Sequence, residues 1–301
     1  LFAIAALSLL ALALFVMLTE TALTLALAVV VVLTVALDRR FDLPLVGIFT
    51  KVALAIIAYR LIAHPGIFWA TETSWFRLIL AYAGTLALLY AGWRLSVERA
   101  RQSVQIAIET TTWTVAAVFA CAVLQRLLPD EPGLLAAVPA IAMFGQINRL
   151  RTSTGLVRGL RISLAALFGF LSACLIAVPL TITNPLLFAF NTVSGPFLLD
   201  SLALNYLPLA AVLSVGAWRL SHMRMRFRLV FAGLAGLLAA FYLVCEIRRF
   251  WRGPDLSVPG VTPPELYTYT VAMVAVSAAL LAISFSRRSN LMRKLAMTGI
   301  G

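Results

Sequence analysis

The sequence predicts an all-α fold, a polytopic bundle of about ten membrane-spanning helices, and three observations carry that reading. Hydrophobic residues make up 62% of the 301, charged residues only 12%, and the mean hydropathy is +0.99, far from the roughly 25% charged residues of a soluble globular domain. Apolar runs repeatedly reach the ~20 residues that cross a bilayer as a helix, whereas a transmembrane strand needs about ten of alternating polarity. Basic residues gather in every second loop, the signature of helices that alternate in direction through a membrane. In hydrocarbon each backbone N–H and C=O must be satisfied within its own segment, so every apolar run is read as a helix.

Taken in order, the spans are expected near 1–18, 21–37, 45–62, 76–93, 104–127, 134–148, 161–181, 203–219, 229–246 and 266–285, in one transmembrane helical domain covering 1–301. The first opens as LFAIAALSLL, with neither a basic n-region nor a small-residue cleavage site, so it reads as a span and not as a signal peptide. The last residues, KLAMTGIG, read as the start of an eleventh apolar run, and the chain is expected to be a fragment of a longer one.

Charge placement tests this segmentation. Most of the 24 Lys and Arg fall after even-numbered spans: Arg39 and Arg40; Arg94, Arg99 and Arg101; Arg149, Arg151, Arg158 and Arg161; Arg219, Arg224, Arg226 and Arg228; then Arg287, Arg288, Arg293 and Lys294. The positive-inside rule makes these loops cytoplasmic and places both ends of this piece in the cytoplasm, the chain lying multi-pass in its membrane. The net charge of +12 then follows from topology and attraction to anionic lipid. Nucleic acid is not an expected partner, because the arginines are spread over short loops without stacking aromatics between them.

Cysteine and histidine add little chemistry. Cys121, Cys174 and Cys245 fall in different spans without a CxxC and read as small apolar core residues, while His64 and His222 are placed on opposite sides of the membrane. No metal site and no cofactor are expected. The chain carries no GxSxG, P-loop, GxGxxG or HExxH pattern, so soluble-type catalytic machinery is not expected either.

The candidate sites are polar residues at membrane depth. Glu109, in QIAIETTTWT, lies well inside the fifth span, and Lys51, in GIFTKVALA, lies at a similar depth in the third, so the two form a candidate intramembrane charge pair. Such a pair reads either as a proton or cation relay assisted by Thr110, Thr111, Thr112 and Thr114, or as a snorkelling lysine beside threonines that bond backbone. Gln146 and Asn148 read as packing residues. On the opposite face, Pro185 and Gly195 interrupt an apolar run, so 182–202 is expected to contain non-helical backbone, with a cavity opening between it and the stretch EIRRFWRGPDLSVPGVTPPELYTY at 246–269. There Arg248, Arg249 and Arg252, with Trp251, Glu246, Glu265, Asn184 and Asp200, form a candidate ligand-binding group. Guanidinium forks hold phosphate or carboxylate bidentately; the competing reading is interfacial anchoring with internal salt bridges.

The pattern E-x-R-R-F-W-x-G followed by P-E-L-Y-x-Y, with the upstream NPLLF and FNTVSGPFLLDSLALNYLP, resembles the C-terminal portion of a family of large bacterial polytopic predicted membrane proteins known as domain of unknown function 2339. The resemblance is best over about 180–295. It implies many spans, an N-terminal portion not in this chain and apolar segments beyond it, and it supplies no reaction. Trp251 stands where many members carry histidine, which argues against a base at that position.

Three function classes follow: a transport or permeation protein for an envelope lipid, glycan or other anionic ligand; a membrane-embedded transferase acting on a lipid-linked donor; or a non-catalytic scaffold of an envelope complex. The first is favoured and the reading leans away from an enzyme, since no carboxylate pair or His–acid pair stands at catalytic spacing. The expected partners are the phospholipid bilayer, an anionic lipid or lipid-linked glycan, and other membrane proteins.

Overall fold

The computed structural model describes residues 20–42, 46–62, 66–97, 102–129, 131–220 and 222–286. The expected span at 1–18, the terminal KLAMTGIG, His64, Asp130, Arg99, Arg101, Arg287, Arg288, Arg293 and Lys294 lie outside them. Among the described residues the chain forms no strand and is built on ten α-helices: α1 Glu20–Phe41, α2 Val46–Ile62, α3 Gly66–Glu72, α4 Trp75–Val97, α5 Gln102–Leu127, α6 Pro132–Arg149, α7 Gly155–Ala177, α8 Ser201–Arg219, α9 Met225–Arg252 and α10 Pro263–Ser286. Eight of these, all but α2 and α3, are long and apolar enough to cross a membrane. The nine expected spans that fall on described residues each coincide with one helix. With 17 residues, α2 is at the short end of what a bilayer core needs, and the seven-residue α3 is an element the apolar runs do not predict.

Two compact units make up the chain, residues 1–173 and 174–301. In the first, α1 packs on α2 and α4, and α5 packs on α2, α4 and α6. Helices apolar all round give no polar stripe to aim them, so small and complementary side chains decide the faces. Leu23, Leu27, Val31 and Val35 of α1, Leu54, Ile57 and Leu61 of α2, Leu78, Tyr82 and Leu89 of α4, and Val104, Ile108, Val115 and Ala122 of α5 recur at three-, four- and seven-residue steps and form one core. Buried threonines sit in the same stripes. Thr34 donates to the Val31 carbonyl at 2.8 Å, the single Thr50 hydroxyl proton is shared between the Val46 carbonyl and the Thr34 hydroxyl, both at 3.0 Å, and Thr85 donates to the Ala81 carbonyl at 2.6 Å. Each hydroxyl is thus satisfied inside the helices without water. The Tyr82 hydroxyl reaches the Leu61 carbonyl at 2.8 Å and its ring stacks on Phe119, tying α4 to α2 and α5.

In the second unit α8 packs along α9, and α10 on α9. Past Ala177 the chain widens into a π turn, Val178–Ile182, because Pro179 offers no N–H to the carbonyl one turn back. The Tyr206 hydroxyl of α8 reaches the Pro179 carbonyl at 2.8 Å, after which residues 183–200 run without regular helix, as Pro185 and Gly195 predict. The cysteines divide. Cys245 is buried and Cys121 half-buried, but Cys174 is exposed on α7, correcting the expectation that all three are core residues.

Candidate functional site

The arginine motif lies at the C-terminal end of α9, where a helix leaves its last carbonyls unpaired and a basic side chain is favoured. Arg249 donates to the Asp200 carboxylate and, at 2.6 Å and 3.5 Å, to the Gly195 and Pro196 carbonyls. Asp200 is itself the N-cap of α8, accepting from the Ala203 N–H at 2.8 Å. One carboxylate therefore starts a helix and holds an arginine that closes the turn before it.

Arg248 and Arg252 work on the other side of α9. Arg252 Nε donates to Glu265 at 3.0 Å, and its terminal nitrogens reach the Val258, Pro259 and Gly260 carbonyls at 2.7, 3.3 and 2.6 Å. Arg248 Nε donates to the Leu256 carbonyl at 2.7 Å, and its remaining nitrogens reach Gly260, Glu265 and Val258. Glu265 is fully buried and also accepts from the Tyr269 hydroxyl at 3.0 Å and the Thr262 N–H at 3.3 Å. Every nitrogen of these two guanidiniums has a protein partner. An open depression lined by Arg252 and residues 258–262 lies beside these bonds.

The other expected ligand residues are likewise engaged. Glu246, 3% exposed, accepts the Leu198 N–H at 2.7 Å through Oε1, while the Tyr242 hydroxyl donates to the Leu198 carbonyl at 3.1 Å. Together they hold Leu198 at a φ of 70°, a conformation unfavourable for a branched side chain unless its surroundings impose it. Asn184 makes its own turn, donating to the Leu180 carbonyl and accepting from the Leu186 N–H, both at 2.9 Å. Trp251 Nε1 donates to the Thr268 hydroxyl at 3.0 Å, linking α9 to α10. Where a cavity was expected between 182–202 and the motif, the Arg249 side chain bridges the two stretches, and a second tie runs from the Val193 N–H to the Pro254 carbonyl at 2.9 Å. The geometry is that of a staple: charges bind loop backbone, and the carboxylates fix the charges.

The intramembrane pair takes a different form from the one expected. Lys51 is exposed, and Glu109 pairs instead with Arg149 at the end of α6 and with Arg161 of α7 at 3.1 Å. Depth along a helix can be read from the sequence, but azimuth cannot. Residues advance ~100° each around a helix, so Glu109, one residue past the core residue Ile108, turns away from the face that packs on α2. Thr112 and Thr114 donate to the Ile108 and Thr110 carbonyls at 2.7 and 2.9 Å, so these two hydroxyls are committed to backbone. Gln146 is buried and Asn148 exposed.

Around Glu109 opens a cleft that sequence reasoning missed. Its walls are Tyr90 and Trp93 of α4, Thr112 and Trp113 of α5, and Arg149, with a volume of about 270 Å3. The Arg149 guanidinium sits 5.6 Å from the Trp113 ring centre, and Tyr90 stacks on Trp93 at 5.9 Å. Among the described residues two guanidiniums share this one carboxylate, and Arg161, 6% exposed, keeps a buried Nε without a hydrogen-bond partner. The available signal was Arg161 itself: α7 begins at Gly155, so this residue is well inside the helix and not part of the preceding loop.

No match is found among curated proteins or among solved structures. The family described as Predicted membrane protein (DUF2339) matches residues 1–301, a wider extent than the motif-bearing stretch that suggested it. Its description agrees with the eight apolar helices and names no reaction, and the chain belongs to this family of predicted membrane proteins.

Proposed function

We propose that the chain is a transport or permeation element for an anionic amphiphile of the bacterial envelope, lying in the inner membrane with its arginine-rich loops on the cytoplasmic side. The observation that supports this is the cleft at Glu109. Two arginines facing one carboxylate leave a positive charge within an apolar bundle, and such a charge is costly unless an anion or water meets it. Aromatic walls of Tyr90, Trp93 and Trp113 suit the apolar part of the same ligand. The ligand class is thus a phosphate- or carboxylate-bearing lipid, or the headgroup of a lipid-linked glycan, bound by Arg149 with Arg161 behind it.

This moves the binding role away from Arg248, Arg249 and Arg252, whose guanidiniums are turned onto loop carbonyls and carboxylates. The transferase reading lacks a general acid–base pair at the cleft, because Glu109 is neutralised by its arginines. The scaffold reading needs no occupied cleft.

Mass spectrometry of lipids retained by the full-length protein in native lipid discs tests the proposal. An acidic lipid or lipid-linked glycan enriched in wild type and lost in Arg149→Gln is the expected result. Bulk phospholipid in both would overturn it and favour the scaffold. Where enrichment is found, turnover of the retained compound in proteoliposomes separates movement across the bilayer from transfer.

A further inference from the structure

We propose that the two loops of the second unit, 183–200 and 253–262, form one apolar cap seated in the interfacial layer of the bilayer, with lipid as its occupant. This proposal is independent of any ligand at the Glu109 cleft. It rests on three observations about the same residues.

The first is exposure. Phe190 and Leu199 are each 77% exposed and Leu187 62% on the first loop, Val261 is 54% exposed on the second, and Phe250, 63% exposed, lies on the last turn of α9 beside them. Singly such residues need no explanation, but a group of them on adjoining segments marks a surface meant for an apolar neighbour.

The second is backbone satisfaction. Non-helical backbone survives near hydrocarbon only where its polar groups are met by protein. Arg249 takes the carbonyls of Gly195 and Pro196, Tyr242 that of Leu198, and Arg248 and Arg252 those of Leu256 and Val258 to Gly260. Pro185, Pro196, Pro254 and Pro259 carry no N–H to satisfy. Loops in water would have these carbonyls solvated for nothing and would gain little from three arginines ordered around them.

The third is depth. Arg228, which donates to the Ala217 carbonyl near the start of α9, and Arg248 are about 30 Å apart along the helix at 1.5 Å per residue, the thickness of a bilayer's hydrocarbon core. The arginines of the motif therefore reach the opposite headgroup boundary, and the loops they hold lie in the layer where aromatic residues are favoured. Asp255, paired with the Ser257 hydroxyl and N–H at 2.7 and 2.9 Å, supplies the water-facing edge.

Nitroxide labels at Phe190→Cys, Leu199→Cys and Ser257→Cys, in full-length protein with its other cysteines replaced and reconstituted in liposomes, read the environment through collision with oxygen and with a water-soluble nickel chelate. Positions 190 and 199 should show nickel collisions several-fold below those at 257 and above those of a label at Leu237→Cys, mid-span on the 68% exposed flank of α9. Nickel access at 190 and 199 equal to that at 257 would overturn the proposal. Low access to both probes would overturn it too, by placing protein, a second copy or another part of the chain, on the cap. Should a variant fail to fold, wild-type protein labelled by a diazirine dissolved in the bilayer decides the same question: adducts on 186–199 support the cap, and adducts confined to the helices exclude it.

Discussion

The two units use charge in opposite ways. In the first, Glu109 joins three helices to one another through Arg149 and Arg161, and a cleft remains beside it. In the second, Glu265 and Asp200 hold arginines whose other nitrogens serve loop carbonyls. The difference teaches where an apolar protein can tolerate irregular chain. Helices satisfy their own backbone and need charge only for packing or for a ligand; loops near a bilayer need donors brought to them, and arginine brings several from one side chain.

Removing the centre of the staple should have the largest effect. In Glu265→Ala two arginines with mostly buried side chains lose their carboxylate, a change that costs about 3–5 kcal/mol in buried pairs. Unfolding of the full-length protein in mixed detergent micelles should shift by that amount, with new protease cleavage in 253–262. An unshifted transition with intact loops would mean that carbonyl contacts alone hold the arginines.

Next comes the turn before α8. Gly195 has a φ of 104°, and a Cβ there would lie 3.1 Å from the Asp200 Cα, so Gly195→Ala should cost about 1–3 kcal/mol through strain. Because Arg249 binds this residue's carbonyl, the substitution should also loosen the Asp200 pair, visible as faster amide exchange across 194–203. Slower or unchanged exchange would separate the turn from the staple.

In the first unit the same kind of lesion should be milder. Glu109→Gln leaves Arg149 and Arg161 without their carboxylate, but the Arg149 side chain is 32% exposed and can extend toward water. A cost of about 1–2 kcal/mol, between surface and buried pairs, is expected. Anionic lipid retained in native discs should persist or rise, since a negative competitor is gone. Loss of that lipid with unchanged stability would reverse the assigned roles of Glu109 and Arg149. Smaller still, Thr50→Val removes one buried hydroxyl contact to Thr34 and should cost about 0.6 kcal/mol, the mean for interhelical hydrogen bonds in a membrane.

These contrasts explain what was legible in the sequence. Helix positions followed from apolar runs because bilayer thickness and backbone satisfaction leave one solution, and Pro185 with Gly195 marked the break before α8. Faces were not legible, since helices apolar all round carry no polar stripe, and so depth alone matched Lys51 to Glu109 while azimuth sent Glu109 to Arg149 and Arg161. The role of Arg248, Arg249 and Arg252 was undecidable in the sequence because a guanidinium binds a loop carbonyl or a ligand phosphate with the same geometry. The carbonyls that these arginines meet come from 195–196 and 256–260, which only the folded loops bring to the end of α9.

The smallest effect is expected at the edge of the cap. Hydrogen bonds from the Ser257 hydroxyl and N–H hold the Asp255 carboxyl below its ordinary value. A carboxyl so depressed stabilises the folded loop fully above the unfolded value near 4 and loses that contribution as pH falls through the folded value. Amide exchange in 254–260, corrected for intrinsic rates, should therefore quicken below about pH 4 in wild type and stay flat in Asp255→Asn. Equal pH dependence in the two proteins would show that the loop is governed by Glu265 and its arginines alone, and that the turn at Asp255 merely follows them.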